Sequence, residues 1–71
     1  MIDKAYELVL TAYRAGDEEA PYHYSDLLVA IRQEDRENTE TALHAIALAA
    51  LRAGHSSAFA DYATLMASID F

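Results

Sequence analysis

The stretch Thr41-Ala-Leu-His-Ala-Ile-Ala-Leu-Ala-Ala-Leu-Arg-Ala53 decides the fold. It carries one charge, Arg52, and nearly every residue in it favours helix. At about 100° per residue, Leu43, Ile46, Leu48 and Leu51 cover more than half of the helix circumference. Ala42, Ala45, Ala49 and Ala53 line most of the rest as a ridge of small side chains. A helix that is apolar almost all round is one buried among partners. The ridge of alanines lets one of those partners come close.

Working outward from this stretch, three further amphipathic segments emerge. The first helix runs from about Asp3, a suitable N-cap, to Ala15, with Gly16 placed to end it. Tyr6, Val9, Leu10 and Tyr13 fall at helical spacing and are expected to face the core. Asp17-Glu18-Glu19-Ala20-Pro21 then suits a helix start, since Pro is tolerated in a first turn and acids there complement the helix dipole. The second helix carries Tyr24, Leu27, Leu28 and Ile31 on one stripe and ends near Gln33 or Glu34. Glu34-Asp35-Arg36-Glu37-Asn38 reads as a polar linker, with Asn38 or Thr39 capping the Ala-rich third helix. Gly54 stops that helix. Ser56 or Ser57 caps a fourth, whose stripe is Phe59, Tyr62, Met66 and Ile69. Asp70-Phe71 is a frayed end unless Phe71 docks.

The chain repeats itself at an offset of 38 residues, which carries Arg14-Ala15-Gly16 onto Arg52-Ala53-Gly54. Leu10 falls on Leu48, Ala12 on Ala50, Ala20 on Ala58, Tyr24 on Tyr62, Leu27 on Leu65 and Ile31 on Ile69. These identities lie on the turn and the core stripe, where a repeated helical hairpin needs them. The offset also places the start of the second helix near Ala20, opposite Ala58, and not after Ser25 as local capping rules suggest. The expected fold is all-α: one domain, residues 1–71, of four short helices forming two αα-hairpins (about 3–34 and about 39–69) packed as a small bundle.

Gly16 at the turn, followed by Ala20 and Tyr24 in the second helix, resembles a tetratricopeptide repeat over about half of each hairpin. The period departs from that family's roughly 34 residues. Ala20 and Tyr24 each lie one position short of the family spacing from Gly16, and its Trp and closing Pro are missing. The resemblance implies a protein-binding helical scaffold and not membership of the family.

Composition narrows the function. The chain has 71 residues, 12 acidic against 5 basic, for a net charge of −7. A core of this size supplies only about 3–5 kcal/mol of net stability. There is no cysteine, hence no disulfide and no thiolate metal site. Met1-Ile2-Asp3-Lys4 lacks the flank of a signal peptide, and the Ala-rich run is shorter than the roughly 20 residues that span a bilayer. A soluble, cytoplasmic protein is expected. Direct nucleic-acid binding needs Lys and Arg against phosphates, so it is disfavoured, as are anionic membranes. A basic partner protein fits the charge.

The chemistry-bearing residues are few. His23, His44 and His55 include no pair at the i, i+4 spacing of a helical zinc site. His44 falls on Tyr6 in the repeat, and His55 follows the helix-ending Gly54. His23 and Asp26 lie three apart on one helix face, a common pairing. No Ser-His-Asp arrangement has supporting context, and no Gly-rich phosphate loop is present. With two glycines and this length, a substrate pocket is not expected, and neither are an enzyme, a cofactor or a bound metal.

What stands out is a surface. With Tyr24 pointing inward, Tyr22, Asp26, Val29 and Gln33 share the opposite helix face, an exposed aromatic and an exposed Val in an acidic surround. Asp17, Glu18 and Glu19 on one side, and Glu34, Asp35, Glu37 and Glu40 on the other, could present carboxylates to a basic groove where a nucleic acid would present phosphates. The expected function is therefore a non-enzymatic regulator or inhibitor that occupies a basic surface of a larger protein. Small acidic helical inhibitors of nucleic-acid machinery, such as phage anti-restriction and anti-CRISPR proteins, are similar in size and charge, a likeness of class only. The alternative is a self-assembling helical module, a homodimer through Ala42, Ala45, Ala49 and Ala53.

Overall fold

The computed structural model describes residues 2–69, which form α1 (Ile2–Arg14), α2 (Ala20–Arg32), α3 (Arg36–Arg52) and α4 (Ala58–Ser68). The expected fraying at Asp70 and Phe71 lies outside the described residues. The chain is all-α, two helical hairpins packed as a small bundle, with α3 at its centre touching all three other helices.

Three helices end by the same device. At the end of α1 the Gly16 N–H donates to the Tyr13 carbonyl and the Asp17 N–H to the Ala12 carbonyl, both at 3.0 Å. At the end of α3 the Gly54 N–H donates to Leu51 and the His55 N–H to Ala50, again at 3.0 Å. This pair of bonds satisfies carbonyls that a helix end otherwise leaves bare, and it requires a left-handed residue. Gly16 and Gly54 supply it at φ 103° and 98°. At the end of α2 the same bonds form, Glu34 N–H to Ile31 (3.0 Å) and Asp35 N–H to Ala30 (2.9 Å), but the left-handed residue is Glu34, at φ 56°. A side chain there is strained.

The start of α3 corrects the sequence reading. Neither Asn38 nor Thr39 is the cap. Asp35 is, and its carboxylate accepts from the Asn38 N–H at 3.0 Å and from Asn38 Nδ2 at 2.6 Å. Most of the supposed linker is thus the first turn of α3, favoured there by the helix dipole acting on Glu37. Thr39 is fully buried, with its hydroxyl donating to the Asp35 carbonyl at 2.7 Å. Asp3 is also not a cap, since α1 already includes Ile2. Ser57 holds the cap position of α4 without a side-chain capping bond.

The core is built from Leu8, Leu27, Leu43, Ile46 and Leu65 set among alanines. Fully buried alanines flank both hairpin turns, Ala12 with Ala20 and Ala50 with Ala58, so each pair of helices approaches closely. The α1 stripe differs from expectation. Ala5, Leu8, Val9 and Ala12 are buried, while Tyr6 and Tyr13 are about half exposed. Both stripes have helical spacing; the small one wins because Ala5 and Ala12 admit a neighbouring backbone that two tyrosines would hold away, and each phenol hydroxyl keeps its water. On α3, Leu51 is likewise exposed, as is His44.

Inside each hairpin, burial follows the 38-residue offset. Leu8 and Ile46, Val9 and Ala47, Ala12 and Ala50, Leu27 and Leu65 are buried in both hairpins. Tyr6 and His44, Tyr13 and Leu51 are exposed in both. Successive repeats of a solenoid stack front to back, which would cover a position in one hairpin and bare it in the other. Between the hairpins this is what happens: Ala42 is buried where Lys4 is exposed, and Ala30 is buried where Ser68 is exposed, so the hairpins stack front to back with α2 against α3.

Candidate partner-binding face

Each residue of the expected site has a definite place. Tyr22, Asp26 and Val29 stand on one exposed face of α2, Tyr22 the most open at 71% and Val29 at 49%. This face runs into a groove of about 430 Å³ between α2 and α3. His23, Asp26, Val29, Ala30 and Gln33 form its α2 side, and Asn38, Thr41, Ala42 and Ala45 its α3 side. Its floor is therefore aliphatic and its edges polar. Asp26 and Gln33 arise one turn either side of Val29, as helical spacing dictates.

The acidic residues do not gather into one patch. Asp17, Glu18 and Glu19 precede α2; Glu34, Asp35 and Glu37 follow it. The thirteen residues of α2 separate them by about 20 Å along the helix axis. Two of the acids have structural work. The Asp17 carboxylate accepts from the Glu19 N–H at 3.0 Å, closing the turn, and Asp35 caps α3. Glu18, Glu19, Glu34 and Glu37 are exposed. Glu40 belongs elsewhere, beside His44 and Tyr62 in a small recess on the α4 side of α3. There the Tyr62 phenol is held above its ordinary value of 10.0, first by burial and then by the Glu40 carboxylate.

Of the ridge proposed for dimerisation, Ala42 and Ala49 are buried within the chain, and Ala45 and Ala53 are half-buried. The remaining aromatic contacts are equivalent in the two hairpins. Tyr6 meets Tyr24 at 5.6 Å between ring centroids, and His44 meets Tyr62 at 5.7 Å, with Phe59 edge-on to both rings of the second pair.

One cluster escaped the sequence reading. His55 Nε2 lies 2.9 Å from Asp61 Oδ2 and 3.1 Å from Ser57 Oγ, and Lys4 Nζ is 3.9 Å from the same carboxylate oxygen. The spacing His55-x-Ser57-x-x-x-Asp61 across a helix start was the available signal. Its geometry differs from that of a nucleophilic triad, in which acid and nucleophile engage opposite ring nitrogens. Here both converge on Nε2. The cluster ties the start of α4 to α1. Among the described residues no three His, Asp or Glu side chains gather closely enough to hold a metal ion. No helix among them is long and apolar enough to cross a membrane. Comparison with known protein families, with curated proteins and with solved structures returns no match to this chain.

Proposed function

We propose that this chain is a non-enzymatic protein-binding domain that regulates or inhibits a larger, basic partner by occupying part of its surface. The observation that carries the reading is the outer face of α2. It joins an exposed Tyr22 and Val29 to a groove with an aliphatic floor, and exposed carboxylates stand at both of its ends. Aromatic anchors within a polar rim suit a protein interface. A net charge of −7 steers the domain toward basic surfaces, including those that otherwise hold nucleic acid. The analogy with phage anti-restriction and anti-CRISPR inhibitors rests on size and charge.

Self-association through Ala42, Ala45, Ala49 and Ala53 is the weaker reading, because Ala42 and Ala49 already serve the chain's own packing. A tagged pull-down from lysate, washed at low and at high salt, separates the two. Recovery of a basic nucleic-acid-handling protein that salt releases supports the inhibitor reading. Replacing Asp17, Glu18 and Glu19 by Lys then slows its association and flattens the salt dependence. Recovery of this chain alone at both salts supports self-assembly.

A further inference from the structure

We infer that the α2–α3 groove seats a short amphipathic helix of the basic partner, with its apolar side on the groove and lysine or arginine at both ends. The inference rests on the partner reading above and adds how that partner is held.

Shape comes first. Ala30, Ala42 and Ala45 leave the floor shallow enough for another helix to lie close, and the half-exposed Val29 offers it a wall. A helix brings its own backbone hydrogen bonds to such a surface. An extended peptide would set part of its backbone over the aliphatic floor, where only the side chains of the polar edges, and no sheet edge, could pair its N–H and C=O groups.

Charge then selects the occupant. By chain position the exposed Glu18 and Glu19 stand about one helical turn before the lining residue His23, and the exposed Glu34 and Glu37 adjoin the lining residues Gln33 and Asn38 at the other end. The ion pairs among the described residues all involve Lys4 or Asp61, so none of these four carboxylates is held in one. The α2 side of the groove, His23 to Gln33, is about 15 Å long; from Glu19, one turn before it, to Glu34, just after it, the span is about 20 Å, the length of roughly 13 helical residues. A helix of that length with a cation at each end meets a carboxylate pair at both ends. Its middle meets aliphatic floor with the single carboxylate Asp26 at the edge. A second copy of this chain is a poor occupant, because its own excess of acids would face these. Nucleic acid is excluded by the same repulsion.

The test uses the whole chain and a fluorescein-labelled helical peptide of about 14 residues, with two lysines at each end and a leucine–alanine stripe between. A control peptide of the same composition carries its lysines in the middle. Fluorescence anisotropy is expected to show the end-charged peptide binding about tenfold more tightly than the control. Val29→Arg and the uncharged groove-filling Ala45→Phe each weaken it about tenfold. Circular dichroism melting confirms that both variants fold. Equal affinity for the two peptides overturns the inference, as does unchanged binding to both variants or no binding at millimolar peptide. If Glu18→Lys with Glu19→Lys abolishes binding while both groove variants leave it intact, the groove is lost and the acidic-surface reading survives. If salt-sensitive capture of a basic protein also fails, that reading falls with it.

Discussion

α2 and α4 are the second helices of equivalent hairpins, yet they meet the opposite hairpin differently. α2 lies along α3 over most of its length, whereas α4 touches α1 sparsely. Side-chain length at a few corresponding positions matches the difference. The seam on α3 is lined by Ala42 and Ala45, and Ala49, one turn on, is buried. The positions 38 residues earlier, on α1, are Lys4, Glu7 and Thr11. These line a second groove of about 270 Å³ that reaches His55 at the α3–α4 turn. Ala30 of α2 is buried, while its counterpart Ser68 on α4 is exposed. One backbone plan thus yields a closed seam where residues are small and an open seam where they are long and polar. The open seam is bridged electrostatically instead, by Lys4 reaching Asp61 at 3.9 Å, with both side chains partly solvated.

The largest expected effect is in the core beneath the two seams. Leu27→Ala and Leu65→Ala remove equivalent buried side chains, 1% and 4% exposed. Each is expected to cost roughly 2–5 kcal/mol, with Leu65→Ala at the lower end because an open seam collapses into the cavity more readily. Urea unfolding followed by circular dichroism measures both, with an osmolyte present if Leu27→Ala populates the unfolded state. Equal costs would show that the seams do not differ in rigidity. Exchanging residues between the seams is the next probe. Ala42→Lys writes the open seam into the closed one and is expected to lose roughly 1–3 kcal/mol. The reverse change, Lys4→Ala, stays within about 0.5 kcal/mol. A cheap Ala42→Lys would mean that α2 rides away from α3 without penalty. The smallest effect sits in the link that closes α2 onto α3. Glu34→Gly removes the left-handed strain and is expected to add about 0.5–1 kcal/mol, seen as a rise in Tm. A fall in Tm would show that the Glu34 side chain holds the link in place.

The hairpins, their turns and the start of α2 were legible because the same residues recur at one offset, and glycines mark both turns. Two features were not read correctly. On α1 the tyrosine stripe looked like the core by size and spacing, yet the buried stripe is Ala5, Leu8, Val9 and Ala12. The offset held the answer, since it sets Leu8 on Ile46 and Ala12 on Ala50 inside the Ala-rich α3. At residues 34–38 the density of charge suggested a loop. The physical signal was Asp35 three residues ahead of Asn38, the spacing at which a carboxylate reaches a helix N–H. For the candidate site, the face of Tyr22, Asp26 and Val29 followed from helical geometry. The groove beside it did not, because a groove depends on how far apart two helices pack, which no single-helix pattern encodes.

The single short link between the two hairpins has a consequence for how chains can exchange parts. If the link at Glu34 straightens, hairpin 1 of one molecule meets on hairpin 2 of another every contact it has at home. No new interface has to be invented for such a swapped dimer, and the left-handed strain at Glu34 lowers the cost of opening. The three-residue link, more than the core, therefore decides whether hairpin 1 closes on its own hairpin 2 or on that of another molecule.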